Sequence, residues 1–188
     1  MRAVLLDAAF GSLEAGEPFS MRAVARRAGV SPAAPYRHFA DREALESAVA
    51  VEGFKILRGD LNAALGEVSG QSPAAMAIAE LGVTYVAFAL RHPAVFRLMF
   101  GNECDAADSE RVQASSELHR VLDGAIERFF PDLPVAEVPS LSTALWSMAH
   151  GLAFLHLDGK LRPDSAADVA DRARAAVAAV FAVRSATS

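Results

Sequence analysis

Residues 20–45 read SMRAVARRAGVSPAAPYRHFADREAL. This stretch predicts two short helices on either side of a glycine turn. Ser20 is placed to cap the first helix, and Gly29 supplies the left-handed residue that ends it. Ser31 is placed to cap the second helix, with Pro32 at its first position, where proline loses no hydrogen bond. Two helices of this length and spacing have the dimensions of a helix-turn-helix.

Pro35 falls inside the second helix of this pair, as its fourth residue. Proline lacks the backbone N–H and disfavours helical geometry at the residue before it, so one of the first hydrogen bonds of the helix is lost. The sequence therefore predicts a distorted or tight first turn rather than the loss of the motif. A regular α-helical hydrogen-bond ladder starting at Ser31 would contradict this prediction.

The rest of the chain also has the hydrophobic spacing and the breaks of helices. A first helix is predicted over about residues 2–14, with an apolar stripe formed by Leu5, Leu6, Ala9, Phe10 and Leu13. Asp41 is placed to cap a long helix over about 42–68. Proline, glycine or a capping residue bounds the other predicted helices, which cover about 73–91, 93–100, 110–130, 140–157 and 164–183.

Together these elements predict an all-α fold of about nine helices. Short alternating β-branched runs are absent, so no strand is expected. A small N-terminal domain with a three-helix helix-turn-helix is predicted over residues 1–47. A helical-bundle domain is predicted over residues 48–188.

The charge distribution is uneven along the chain. The whole chain carries a net charge of −5, whereas residues 20–42 hold five arginines and one aspartate and so carry +4. The remainder therefore carries −9. A basic segment on an acidic body is expected where one small face meets phosphate, although a solvated basic helix face would give the same count.

Three features of the sequence bear on its compartment. Cys104 is the single cysteine, so no intrachain disulfide can form, which fits a reducing cytoplasm. Asp7 follows only a few apolar residues at the N-terminus, so no secretory signal is expected. Residues 138–157 lack Asp, Glu, Lys and Arg and are long enough to span a bilayer, but their Ser, Thr, Pro and His content favours a helix buried in protein. We therefore expect a cytoplasmic protein without membrane association.

The stretch from Ala25 to Leu45 resembles the DNA-binding signature of the TetR family of bacterial transcriptional regulators. The turn Ala-Gly-Val-Ser, the run Tyr-x-His-Phe and the following acid-base-acid-x-Leu occur together at the family spacing. The upstream run from Leu6 to Phe10 and the break at Gly16 fit the same pattern. The resemblance covers about residues 2–47 and implies binding of double-stranded DNA by a homodimer.

The resemblance also implies roles for individual residues. Tyr36 and His38 would contact backbone phosphates. Arg42 stands where the family usually has lysine and would keep that charge with a fork of donors. Independently of the family, Ser20 and Ser31 lie at predicted helix starts, where hydroxyls and backbone N–H groups grip phosphate oxygens.

The recognition helix offers few groups that could read bases. Ala33, Ala34 and Arg37 are candidates for facing bases, but alanine can only pack on a thymine methyl and donates no hydrogen bond. Pro35 departs from the family, which usually has a larger aliphatic residue at this position. Phe39 is expected to lie in the core. The complete set of expected DNA-binding residues is Ser20, Arg22, Ser31, Ala33, Ala34, Tyr36, Arg37, His38 and Arg42.

The last two predicted helices, about 140–157 and 164–183, are rich in apolar and small residues. A helix that is apolar all round must be covered on all sides, so pairing with a second copy would form a four-helix interface. The resemblance implies the same mode of dimerisation. Trp146, His150 and Gly151 have the spacing of the WHG subgroup of TetR-type C-terminal domains.

The middle helices carry bulky side chains that could line a pocket for an apolar small molecule. An aromatic set at helical spacing is equally expected in a plain core. His150 lies on an uncharged helix and needs a hydrogen-bond partner, a ligand or a metal. The candidate ligand-binding residues are Tyr85, Phe88, Phe96, Met99, Phe100, Trp146, His150 and Phe154.

Other chemistry finds little support in the sequence. The groups that could ligate a metal, His92, Glu103, Cys104 and His119, share no recognised spacing. No nucleophile elbow or phosphate-binding glycine loop occurs, so we expect neither an enzyme nor a cofactor. A small helical enzyme would show turnover and no sequence-specific DNA affinity.

The layout and the resemblance together predict a ligand-responsive repressor. It would bind a pseudo-palindromic operator as a homodimer and be released by a small, largely apolar effector. The alternative is an effector-independent regulator or an activator, whose body serves only for dimerisation. Ligand-induced thermal stabilisation distinguishes the two.

Overall fold

The computed structural model describes residues 1–68, 73–101 and 109–186. Within these ranges the chain forms α-helices and no strand, which confirms the predicted all-α class. The helices are α1 (Arg2–Glu14), α2 (Met21–Arg27), α3 (Arg42–Glu67), α4 (Ala74–Arg91), α5 (Pro93–Gly101), α6 (Ser109–Phe129), α7 (Val138–Leu157) and α8 (Ala166–Ala186). Two short 3-10 helices are present in the same ranges, Pro35–Arg37 and Val135–Glu137. Cys104 and Glu103 lie outside the described residues.

The third predicted helix differs from expectation, because it is a 3-10 turn and not an α-helix. The N–H of Ala34 donates to the carbonyl of Ser31 at 2.9 Å, and the N–H of His38 donates to the carbonyl of Pro35 at 2.9 Å. Both bonds span three residues, so the predicted distortion is confirmed. Ser31 accepts through its carbonyl, and its predicted role as the side-chain cap of an α-helix was wrong because no α-helix begins there.

The helices form two compact units that do not follow chain order. The first unit contains residues 1–56 and 92–115, and the second contains residues 57–91 and 116–188. Helix α5 therefore groups with α1 and α2, although its sequence lies in the predicted C-terminal body. Helices α4, α7 and α8 all belong to the second unit.

In the first unit, the end of α1 is tied to the beginning of α5. The Glu14 carboxylate accepts a hydrogen bond from the backbone N–H of Val95 at 3.2 Å, and its second oxygen lies 3.6 Å from Nδ1 of His92. A carboxylate at a helix N-terminus satisfies a donor that has no partner within the helix and interacts favourably with the helix dipole. The ring of Phe10 packs edge-on against His92, with 5.3 Å between the centroids.

The opposite end of α5 is held by a buried arginine. The guanidinium of Arg111 donates to the carbonyl oxygens of Leu98 and Met99 at 2.8 and 3.0 Å. These carbonyls lie in the last turn of α5, where the helix itself supplies no donors and a cation is favoured. Arg111 is buried, although nothing in its sequence neighbourhood distinguishes it from the surface arginines.

The core of the first unit is closely packed where α3 meets α5. Phe54, Phe96 and Met99 are fully enclosed, and Phe100 packs edge-on against Phe54 with 5.3 Å between centroids. Gly53 lies at the point of closest approach. A Cβ atom added there would lie 2.6 Å from Sδ of Met99 and 2.8 Å from Cγ1 of Val95.

In the second unit, α4 is the central helix and packs against both α7 and α8. Its side chains Ile78, Val86 and Phe88 are fully buried. At the edge of this contact Arg174 of α8 forms a two-pronged ion pair with Glu80, through bonds of 2.7 and 3.2 Å. Of the described helices, α4 alone is long and apolar enough to cross a membrane, but half of it is buried inside the protein, as expected of a core helix.

The close approach at Gly53 predicts a difference between two glycines of α3. Gly53→Ala is expected to lower the free energy of unfolding, because the β-branched Val95 cannot rotate away from the new methyl group. Gly59→Ala is the matched control, because nothing lies within 4 Å of its Cβ position. It is expected to raise stability by about 0.5–1 kcal/mol through helix propensity. Chemical denaturation should separate the two variants by about 1–3 kcal/mol, and equal stabilisation of both would contradict the packing described.

Candidate nucleic-acid interface and effector site

The turn formed by residues 31–38 presents three consecutive side chains to solvent. Pro35 and Phe39 are both buried, and Phe39 is only 4% exposed. Tyr36, Arg37 and His38 lie between these two anchors and are exposed, Tyr36 to 56%. The two buried residues thus anchor the turn on both sides of the exposed run, so that the three predicted contact residues are all accessible to solvent.

The preceding helix begins as the sequence predicts. The hydroxyl of Ser20 accepts a hydrogen bond from the backbone N–H of Ala23 at 3.2 Å, which is the expected N-terminal cap. Gly29 has a positive φ of 68°, a conformation that other residues rarely adopt, and it ends α2 as predicted. Arg22 lies in the first turn of α2 and is exposed, as is Ser31 after the glycine turn.

Arg42 is positioned at the first turn of α3 by two neighbours. Its Nε donates to Oε1 of Glu46 at 2.8 Å, and its guanidinium lies over the ring of Phe19, 5.8 Å from the centroid. Asp41 caps the same helix by accepting from the N–H of Ala44 at 2.8 Å, as predicted. The side chain of Arg42 remains 63% exposed, so other donors of its planar fork can reach a phosphate. Neither Phe19 nor Glu46 was expected from the sequence to contact Arg42.

The remaining predicted contact residues provide little hydrogen-bonding capacity. Ala33 is exposed and Ala34 is half-buried. Ala34 keeps helical angles, φ −61° and ψ −43°, although a following proline disfavours them. Arg37 is the exposed charged side chain nearest to these two alanines in sequence.

The eight candidate ligand residues do not form one group, because the two units divide them. Phe96, Met99 and Phe100 belong to the first unit, where they pack with Phe54 in the dense core beside Gly53. That packing leaves no space for a single added methyl group at Gly53. The other five belong to the second unit: Tyr85, Phe88, Trp146, His150 and Phe154.

Four of these five residues form a connected cluster on α4 and α7. The hydroxyl of Tyr85 lies 2.9 Å from Nδ1 of His150, and Nε1 of Trp146 donates to the Tyr85 oxygen at 3.4 Å. The ring of Phe154 packs 4.9 Å from that of His150. From α6, His119 packs edge-on against Trp146 with 4.5 Å between centroids, a neighbour that the sequence spacing did not indicate.

Burial sets the protonation of this hydrogen-bonded group. Indole N–H groups can only donate, so the Tyr85 oxygen accepts from Trp146. Burial lowers the pKa of His150, which favours the neutral imidazole, and the direction of its bond to the Tyr85 hydroxyl follows from the tautomer that the neutral ring adopts. Burial also raises the pKa of the Tyr85 hydroxyl, so this group stays protonated. His150 has therefore found the partner that its position on an uncharged helix requires.

No group of three or more His, Cys, Asp or Glu side chains that could hold a metal ion occurs among the described residues. His156, which is also on α7, is bonded through Nδ1 to the carbonyl of Leu161 at 2.8 Å. Its role in that contact is to hold the turn that follows α7.

Two family models match the chain and together cover most of it. The model described as "Tetracyclin repressor-like, C-terminal domain" matches residues 78–180. The model described as "Bacterial regulatory proteins, tetR family" matches residues 5–49, which include α1, α2 and the exposed turn.

Individual proteins are also similar to the chain. An uncharacterized HTH-type transcriptional regulator from Haemophilus influenzae is 31% identical over 130 residues, which are 67% of this chain and 62% of that protein, so the match spans less than two thirds of that relative. A protein of unknown function from Rhodococcus sp. RHA1 is 32% identical, with a TM-score of 0.79 over 94% of this chain and 92% of that one. The transcriptional regulator FadR from Bacillus subtilis, solved in complex with stearoyl-CoA, shares the fold at 10% identity, with a TM-score of 0.74 over 94% and 96% of the two chains. The chain belongs to the TetR family of bacterial regulatory proteins.

Proposed function

We propose that this regulator is a ligand-responsive repressor that binds a pseudo-palindromic operator as a homodimer. A small, largely apolar effector would release it from DNA. The observation that carries the DNA-binding part is the exposed run Tyr36-Arg37-His38, held between the buried Pro35 and Phe39. We assign residues 1–47 to DNA binding and residues 48–188 to dimerisation and effector binding.

In this proposal most contacts go to the DNA backbone. Tyr36, His38, Arg42 and the helix start at Ser20 would bind phosphates and fix the register of the turn on the duplex. The two alanines leave room for close approach of the backbone to the bases but contribute only apolar contacts. Arg37 would supply direct hydrogen bonding to a base, and the shape of the DNA would supply the remaining specificity.

Homodimerisation is supported by apolar surface on two neighbouring helices of the second unit. On α8 the exposed residues Ala175, Ala178, Ala179 and Ala182 follow the three- and four-residue steps of one helix face. On α7 a parallel series of exposed and half-buried residues consists of Ala144, Met148, Gly151 and Leu155. Leu155 is 42% exposed in the single chain. Pairing of both faces with a second copy would cover them in a four-helix interface.

The effector site is proposed at the cluster of Tyr85, Trp146, His150 and Phe154. Its aromatic side chains and its few hydrogen-bonding groups suit a mostly apolar molecule with one or two polar atoms. FadR, which shares the fold, binds stearoyl-CoA, and this supports an effector with a long apolar part. A coupling of about 1–3 kcal/mol would change operator affinity by about 5–150-fold.

The alternative is a regulator that needs no effector, or one that activates transcription. The hydrogen bonds that join Tyr85, Trp146 and His150 favour the regulator that needs no effector, because they stabilise the packing of α4 against α7 without a ligand. A panel of apolar compounds separates the two. Stabilisation of the protein by one class of compound, with loss of operator binding, supports the repressor.

Truncation at the exposed turn tests the DNA-binding surface. Tyr36→Ala is expected to weaken binding to DNA from upstream of the gene of this protein by about tenfold or more, because a phosphate contact is lost in each protomer. The side chain is exposed, so the fold should be unaffected. The measurement is fluorescence anisotropy against a scrambled duplex.

A salt series with Arg42→Gln sharpens the same test. Loss of one cation–phosphate contact per protomer should reduce the slope of log affinity against log salt by about one for each protomer. Arg162→Gln, which removes an exposed arginine of the second unit, is the control and should leave the slope unchanged. Equal slopes of log affinity against log salt for the wild type and Arg42→Gln would show that Arg42 does not contact a DNA phosphate.

A charge placed on α8 tests the dimer. Ala179→Glu is expected to convert the protein from twice the chain mass of 19.8 kDa to a monomer, because it buries an unpaired carboxylate in the proposed interface. The control is Ala63→Glu on the exposed face of α3. Sedimentation equilibrium gives the mass, and a dimer that persists in Ala179→Glu would place the interface elsewhere.

The protonation of His150 predicts a pH dependence of stability. Because its pKa is lowered on folding, the unfolded chain binds more protons just below the ordinary value of about 6.5, so stability falls as the pH falls through that region. His150→Gln keeps an acceptor but cannot be protonated. Thermal melts between about pH 7.5 and 5.5 should therefore show a smaller loss of stability in this variant. An identical loss would show that His150 does not titrate as assigned.

A further inference from the structure

A groove lies between α3 and α6 in the second unit, apart from the aromatic cluster. Its volume is about 320 Å³, at the lower end of the range of about 300–1,000 Å³ for small-molecule sites. The lining residues are Asn62, Leu65, Arg120, Val121, Gly124, Ala125 and Arg128.

The middle of this groove is apolar and has space above it. Ala125 is buried, and Leu65 and Val121 are half-buried. Gly124 is exposed, and a Cβ atom added there would meet nothing within 4 Å. The small residues of α6 therefore create the depression, and its floor offers hydrocarbon contact without hydrogen-bonding groups.

Two arginines flank this floor. Arg120 and Arg128 are eight residues apart on α6, which corresponds to about 12 Å along the helix axis. Both are exposed, and neither has an ion-pair partner among residues 1–68, 73–101 and 109–186. Glu117, which also lies on α6, forms an ion pair with Arg58 of α3 and is therefore not paired with either arginine.

We propose that this groove binds an aliphatic carboxylate, with the carboxylate at one of the two arginines and the hydrocarbon chain on the floor between them. Unpaired guanidinium groups match a carboxylate through paired hydrogen bonds. The apolar floor between them distinguishes an amphiphile from inorganic phosphate, which would leave Leu65 and Val121 uncovered. The length of about 12 Å between the two arginines suits a medium-length chain.

This site is independent of the DNA-binding turn and of the proposed effector cluster. None of its lining residues belongs to either. Octanoate also resembles the molecule proposed for the effector cluster, so binding to the full chain without DNA is assigned to the groove only by variants of the groove residues. Failure of binding at the groove would leave the proposed repressor function unaffected.

The experiment is calorimetric titration of the full-length protein with octanoate, below its micelle concentration. Three comparison probes are 1-octanol, octyltrimethylammonium and inorganic phosphate. Octanoate is expected to bind more tightly than all three, because only octanoate combines the carboxylate with a chain. Equal binding of octanol, or no binding of octanoate, would overturn the proposal.

Variants locate the bound molecule. The double variant Arg120→Gln with Arg128→Gln should weaken octanoate binding by about tenfold or more, as expected for the loss of charged hydrogen bonds. Gly124→Leu should block binding by filling the groove, and the open space at that position favours its folding. Arg162→Gln is the matched control and should bind as the wild type does. If Gly124→Leu binds octanoate as tightly as the wild type does, the groove is not the binding site.

Discussion

The apolar surface of α4 must be covered, and the second unit is arranged around that requirement. Each Å² of apolar surface removed from water contributes about 25 cal/mol, so a helix with apolar residues on most faces is stable only when it is enclosed. Helices α7 and α8 enclose it, with Ile78 and Phe88 fully buried. The same requirement puts Tyr85 out of contact with water, and its hydroxyl then needs the partners that Trp146 and His150 provide. The polar cluster is thus a consequence of covering α4.

In the first unit, proline chemistry shapes the surface proposed to bind DNA. Pro35 cannot donate a backbone hydrogen bond. Around it the chain forms hydrogen bonds between residues three positions apart, as in a 3-10 helix, and no α-helix. Its ring is buried together with Phe39, so the turn is anchored by apolar contact. This anchoring holds the short turn in place and leaves Tyr36 and His38 exposed on either side of Arg37.

The arginines of the chain differ in how they are paired. Arg27, Arg58 and Arg174 form ion pairs with Glu17, Glu117 and Glu80, and Arg111 donates to the last carbonyls of α5. At the candidate DNA surface Arg42 is paired with Glu46, whereas Arg22 and Arg37 have no ion-pair partner among the described residues. The two arginines beside the groove also have none among those residues. In a chain of net charge −5, exposed arginines without carboxylate partners that lie together are candidates for contact with anions.

Local chemistry was enough to determine the eight α-helices of the described ranges, the caps of two of them and the family, although the Ser31 cap was predicted wrongly. Hydrophobic spacing gave the α-helices, Ser20 and Asp41 cap their helices as predicted, and the signature around Gly29 identified the family. These depend on residues within a few positions of each other, so the sequence contains them directly. Tertiary structure decided what depends on distant residues. It placed Phe96 and Met99 in a close-packed core and Tyr85 beside His150. The sequence could not predict these contacts, because the spacing of aromatic residues within each helix does not determine which helices pack together.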